Sequence, residues 1–490
     1  MKKLLFLNFA ALCILIASCS KDSGFMPGSD PGLAYGKGNH INCPVVIYKP
    51  AADGDDTDEF LAIINGALPG TVIKLEEGVY HLGYMEVTDF HGSIVGAGVD
   101  RTIIYPVTPL TYEVQFSENI VPCWMRFTSG DFCISQMTFN TDVIGPIHDY
   151  SVESILGEDL FSIFVLADYN DKHRFDEPYQ KVTFKNVNLI GGTDDGINGY
   201  LTNNNTLIGI WCGSDFWWPI GSLDYPLTRG EFTITDCYFH NFLDAVEGFG
   251  LGEYGMMKIS RCRLDYCLWP LYFTANHGSK IYISDNTFSR SLDSDVIIED
   301  IDFGVLTNTY INPQKRSQFT LTGNIFNVKS PVSSVIMWDT YVATSPEKVP
   351  PMIISLKGNI FNLTEGSTGV SAINSQDAVI QNNKFRGSCN TGILIDGIST
   401  DRYGKPLPLE VNANNVLVLG NNFTGLNATN ADIVLGDNSS NCTVVGNGKE
   451  SVIDDGTNNK IVGMKKKPGS HHIGPSIRDN FRMWHGMRNH

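Results

Sequence analysis

The stretch Lys280-Ile281-Tyr282-Ile283-Ser284-Asp285-Asn286-Thr287-Phe288 decides the fold, because its pattern returns along the chain. An apolar residue is followed five places later by another, with a small turn pair between them. The apolar pairs are Ile134/Phe139, Phe184/Leu189, Ile234/Phe239, Ile259/Leu264, Ile283/Phe288, Leu321/Phe326, Leu356/Phe361, Ile380/Phe385 and Val418/Phe423. Second members recur every 24 or 25 residues in the tightest cases and every 35 to 50 in the others. The short interval fits one coil of a solenoid. The longer ones are either two coils or one coil with an inserted loop. Two places before the second apolar residue stand Asn286, Asn324, Asn359, Asn383 and Asn421, preceded by Asp285, Gly323, Gly358, Asn382 and Gly420. Such a tight turn wants the left-handed conformation at its second residue, which Asn and Gly tolerate best. Coils stacked at the ~4.8 Å strand spacing set these Asn in a ladder bonded through their amides. Met137, Val187, Cys237 and Cys262 hold the same place in earlier coils. Cys237 and Cys262 are expected as stacked free thiols, since parallel Cβ vectors suit a disulfide poorly.

Working outward, Ala52-Asp53-Gly54-Asp55-Asp56-Thr57 leads into Phe60, Leu61, Ile63 and Ile64. Pro69-Gly70-Thr71-Val72-Ile73-Lys74-Leu75, Glu77-Gly78-Val79-Tyr80-His81-Leu82 and Ile94-Val95-Gly96-Ala97-Gly98 follow. This series resembles the opening of pectate-lyase-like and polygalacturonase-like proteins, over roughly residues 45–460. The resemblance implies an all-β, right-handed, single-stranded parallel β-helix over 45–463, with a short amphipathic helix plugging its N-terminal end. It implies little about activity, because that fold hosts lyases, hydrolases, epimerases, adhesins and phage tailspikes. Residues 464–490, with Ile473, Ile477, Phe481 and Trp484 among basic residues, are expected to cap the last coil and cover its open edge.

The N-terminus carries Lys2 and Lys3, then an apolar run from Leu4 to Ile16, too short to span a bilayer at about 20 residues per crossing. Ile16-Ala17-Ser18-Cys19 resembles a lipobox, which implies a signal peptide over 1–19 and a lipid on Cys19. Ser20-Lys21-Asp22 is similar to surface-export signals of Bacteroidota lipoproteins, and 20–44 reads as a flexible tether. The expected address is the outer membrane, at the cell surface or facing the periplasm, with the lipid as the sole membrane contact. The composition, 42% hydrophobic and 18% charged, allows a large core. A net charge of −18 disfavours nucleic acid, and disfavours an acidic polysaccharide unless a metal or a local basic patch intervenes. The 11 Cys include no C-x-x-C pair and no zinc spacing, so no metal site is assigned. Most are expected to be buried thiols.

Counting five residues on from each second apolar residue gives Asp194, Asp244, Trp269 and Asp293. Asp244, Trp269 and Asp293 then fall on consecutive coils, with the carboxylates roughly 9–10 Å apart along the axis. Inverting glycosidases hold their acid and base about 6.5–9.5 Å apart. Asp244 and Asp293 are therefore the leading catalytic candidates, with Asp194, Asp195 and Glu247 behind them. Against this, an Asp before a strand is a common turn-former. Trp269 and Tyr272, and a Trp211, Trp217, Trp218 group read as a loop, are the candidates for stacking on sugar rings. Asp194-Asp195 resembles the paired Asp of polygalacturonases, but the match then fails. Asn140-Thr141-Asp142 stands too far ahead, His277-Gly278 lacks a preceding Gly, and no Arg-Ile-Lys occurs. A lyase would draw its base from Lys258, Arg261, Arg263, His277, Lys280 or Arg290. Asp293, Asp295, Glu299, Asp300 and Asp302 are the acids a Ca²⁺ ion would use, though they match no EF-hand spacing. The reading that results is a polysaccharide- or oligosaccharide-acting surface protein. A glycoside hydrolase leads, a lyase is one alternative and a non-catalytic glycan-binding adhesin another.

Overall fold

The computed structural model describes residues 43–51, 54–107, 123–141, 160–167, 180–191, 206–213, 229–274, 276–291, 294–300, 314–328, 333–339, 351–397, 412–448, 451–463 and 465–467. The chain folds as a right-handed parallel β-helix. All but two of its described strands join one 32-stranded sheet that winds around a continuous apolar core, and Ala413–Asn414 and Ser439–Ser440 pair apart from it. In the middle of the molecule each coil has three strands. One coil runs Glu231–Thr235, Tyr238–His240 and Asp244–Phe249; the next runs Met256–Ser260, Arg263–Asp265 and Trp269–Thr274. Each strand pairs in parallel with its counterpart one coil away.

The nine apolar pairs lie on nine consecutive rungs. Phe139 aligns with Leu189, Leu189 with Phe239, Phe239 with Leu264 and Leu264 with Phe288. Phe288, Phe326, Phe361 and Phe385 follow in register, and Phe423 stacks on Phe385 with centroids 4.8 Å apart. The intervals of 35 to 50 residues are thus single coils with insertions, never two coils. The Phe rings from Phe288 to Phe423 form one column, with planes within 14° of parallel. Every one of these rings is buried, and this column is the spine of the core.

The Asn ladder forms as expected and runs one rung further. Asn286, Asn324, Asn359, Asn383 and Asn421 each donate Nδ2 to the Oδ1 of the next, ending on Asn447, at 2.9–3.0 Å. The same oxygens accept the backbone N–H of the rung before. The left-handed residue of the turn is the one ahead of the ladder Asn: Asp285 at φ 57°, Asn382 at 53°, and Gly323, Gly358 and Gly420 at 64–69°. Glycine there removes the Cβ that crowds the following carbonyl. Cys237 and Cys262 form no disulfide, nor does any other described cysteine, and all of them but Cys43 are buried.

The helix expected near the N-terminus spans Thr57–Asn65, and Phe60 and Ile64 are its buried residues. Asp56, at its N-cap, is fully buried and ties three segments together: it accepts from Tyr48 Oη, Ala51 N and His81 N. The signal peptide with Cys19, the tether up to residue 42, and residues 468–490 of the expected cap lie outside the described residues.

Candidate functional site on the third strands

The third strands bury both faces. Inward residues such as Ile210, Val246, Leu271 and Phe273 belong to the core. Outward ones make a second, separate apolar cluster of Cys123, Val165, Ile208, Trp211, Leu243, Trp269, Tyr272 and Ile297. Side chains aligned on neighbouring parallel strands point to the same side, so register places the acids. Asp244 lies between Ile208 on one coil and Trp269 on the next. Glu247 lies between Trp211 and Tyr272. Both carboxylates therefore stand in the outward aromatic cluster, each 3% exposed. Ala245 and Val246, adjacent in the chain, both belong to the core, and this break in the strand's alternation lets two acids three residues apart share the outward face. Trp211 lies against Phe249 with centroids 5.3 Å apart, and Trp269 against Tyr272 at 6.3 Å.

This arrangement corrects the expected column in three places. Leu271 aligns with Val296, and Leu271 N donates to Asp295 O. That register carries Ser294, not Asp293, to the place beside Trp269. One coil before Asp244 the place belongs to Ile208, not to Asp194. Trp211 is a fully buried strand residue of Thr206–Gly213, not part of a loop. Asp293, Asp194, Asp195, Trp217 and Trp218 all lie outside the described residues. Of the expected catalytic set, Asp244 and Glu247 are brought together, with Trp269 and Tyr272 one rung away.

The expected lyase bases sit elsewhere. Lys258 and Lys280 are exposed on the first strands, in register with Tyr282 and Met256. Arg261 is paired with Asp236 at 2.8 Å. Arg263 and Arg290 both bind Asp265 on a second strand. Burial pushes the His277 imidazole down to about 3, which keeps it neutral at ordinary pH. Among the described residues no group of three or more His, Cys, Asp or Glu side chains could hold a metal ion. Of the acids expected for Ca²⁺, Asp295 is 1% exposed and accepts from Ser291 Oγ at 2.5 Å and Ser334 Oγ at 2.9 Å. Asp293 and Asp302 lie outside the described residues. Arg126 was not legible as a site residue. It is 5% exposed and shares the outward column of Val165, Trp211 and Glu247. Only register reveals it, because long insertions separate these residues in the chain.

No protein-family model matches the chain, and no curated protein matches it. Solved structures of similar fold exist. A mannuronic-acid-specific polysaccharide family 6 lyase from the human gut microbiota is 12% identical, with a TM-score of 0.48, over 91% of this chain and 94% of the other. The A-module of the Azotobacter vinelandii mannuronan C-5 epimerase AlgE6 is 13% identical, with a TM-score of 0.35, over 85% and 97%. The Yersinia enterocolitica family 28 exopolygalacturonase is 10% identical, with a TM-score of 0.38, over 87% and 76%.

Proposed function

We propose that this chain is a carbohydrate-active β-helix protein, a glycoside hydrolase that uses Asp244 and Glu247 as its paired carboxylates on a polysaccharide. The observation that carries the proposal is the register: two carboxylates on one strand, each flanked on a neighbouring coil by an aromatic residue that suits a sugar ring. In the inverting mode a water molecule lies between the two carboxyl groups. One carboxyl protonates the departing glycosidic oxygen. The other takes a proton from the water that attacks the opposite face of the sugar. The lipobox-like segment ending at Cys19 supports attachment to a membrane by lipid, with the β-helix held at the cell surface.

The burial of both acids, 3% exposed each, favours one second reading, a non-catalytic glycan binder in which the pair is structural. Reducing-end release from a panel of polysaccharides separates the two. Asp244→Asn and Glu247→Gln should each lower kcat/KM at least about 100-fold, and the first-formed product should have inverted anomeric configuration by NMR. Turnover that persists in the double variant removes these residues from catalysis. Unsaturated, ultraviolet-absorbing products would identify a lyase instead.

A further inference from the structure

The second strands present an outward face of their own, distinct from the face that holds Asp244. Its third positions run one residue per rung through Ser289, Asn327, Asn362 and Arg386. We propose that a groove on this face is a second carbohydrate site, which binds the uronic acid units of an acidic polysaccharide with Arg386 as the carboxylate clamp. The groove has a volume of about 640 Å³, and Asn327, Asn362, Lys384, Arg386, Gly387 and Thr424 line it.

Three observations carry this. The first is charge. The chain has a net charge of −18, yet the groove lining holds Lys384 and Arg386 and no Asp or Glu. Arg261, Arg290 and Arg316 each pair with a carboxylate. Arg386 has none among the described residues, and bonds an amide instead. The second is orientation. Arg386 Nε donates to Asn362 Oδ1, and Asn362 Nδ2 donates to Asn327 Oδ1 at 2.6 Å. This chain of hydrogen bonds fixes the guanidinium through its inner nitrogen, which leaves the two terminal nitrogens for the forked contact that carboxylates prefer. The third is access. Arg386, Lys384 and Thr424 are exposed. Gly387, at φ +100°, has no room for a side chain, since a Cβ would stand 2.2 Å from Leu363 O. The groove wall therefore stays low. Amide and hydroxyl groups at the ~4.8 Å rung spacing offer a repeating ligand repeating partners, as sugar hydroxyls require. The local basic patch removes the objection that overall acidity raises against an acidic glycan.

The inference rests on the ligand being a polysaccharide, as proposed above, but not on Asp244 or Glu247. Calorimetric titration of the full chain with hexasaccharides of galacturonate, mannuronate and guluronate tests it, with methyl-esterified hexagalacturonate and polyglutamate alongside. At least one uronate hexamer should bind, and that binding should persist in the Asp244→Asn/Glu247→Gln variant. Arg386→Gln should weaken that binding at least tenfold at an unchanged melting temperature, and Arg386→Lys should recover part of it. Esterification should weaken it to a similar degree. The proposal is overturned if none of the three hexamers binds, if Arg386→Gln binds as tightly as wild type, or if the ester or polyglutamate binds as tightly as the acid. Loss of binding in the double variant would assign the ligand to the third-strand face. Binding without turnover would remove the hydrolase and leave the groove.

Discussion

Arg290 clamps Asp265 across one coil: its Nε donates to Asp265 Oδ1 at 2.7 Å, while its guanidinium lies 3.8 Å from the centre of the Tyr266 ring. Arg263 adds a bond to the same carboxylate at 3.2 Å. Asp265 is fully buried, so the charge is tolerable only because it is paired.

Burial alone would raise the Asp265 carboxyl, but the Arg290 bond and the charges of Arg290, Arg263 and His240 hold it below the usual carboxylate range. A depressed folded-state pKa contributes stability that is present above the unfolded value, near 3.9, and lost as pH falls through the folded value. Arg290→Gln should cost about 2–3 kcal/mol near neutral pH. That is below the ~3–5 of a fully buried pair, because Arg290 is itself 35% exposed. Urea melts at pH 7 and pH 2.5 check this, and the gap between wild type and variant should narrow at the lower pH.

Asp295 has the opposite sign. Burial pushes its carboxyl up to about 6, against the opposing bonds from Ser291 and Ser334. The folded state then holds the proton more tightly than the unfolded chain, so this group's contribution falls as pH rises from about 4 to 6 and levels off above. Asp295→Asn should raise the melting temperature at pH 7.5 and leave it nearly unchanged at pH 4. An equal shift at both pH values would mean that Asp295 is charged throughout.

Asn359 is the ladder residue to remove. It accepts from Asn324 N and Nδ2 and donates to Asn383 Oδ1 and Leu321 O. Alanine would leave several buried groups unsatisfied, at about 1–3 kcal/mol each where water cannot enter. The expected loss is about 3–5 kcal/mol in chemical denaturation. A loss under about 1 kcal/mol would show that the turn relaxes or admits water.

Phe361 sits between Phe326 and Phe385, with centroids 4.8 and 4.6 Å away. Phe361→Ala should cost about 3–5 kcal/mol, and Phe361→Leu less, because the smaller cavity can close in part. Unfolding followed by circular dichroism reads both, and equal losses would indicate that ring stacking matters more than volume.

The ladder and the Phe column were legible in the chain because both are local. A turn, its left-handed residue and the two apolar residues around it lie within six positions, and every coil repeats them. Coil number was not legible, since insertions after a strand change the interval without changing the rung. The candidate site was readable only in part. From Phe239 to Asp244 and from Leu264 to Trp269 the chain advances five residues, which is why Asp244 and Trp269 were aligned correctly. From Phe288 the matching place, Ser294, comes after six residues, and from Phe326 it comes at Ser333 after seven. A turn that lengthens by one residue slips the next strand by one, and side chains alternate between faces.

Local pattern therefore suffices for the solenoid, its ladder and the apolar spine. The tertiary structure decided which distant residues share a rung. It joined Glu247 to Trp211 and Tyr272, and set Arg386 above Asn362 and Asn327. Those pairings depend on how each loop closes back onto the stack, and loop closure is a property of the packed coil that no short segment encodes.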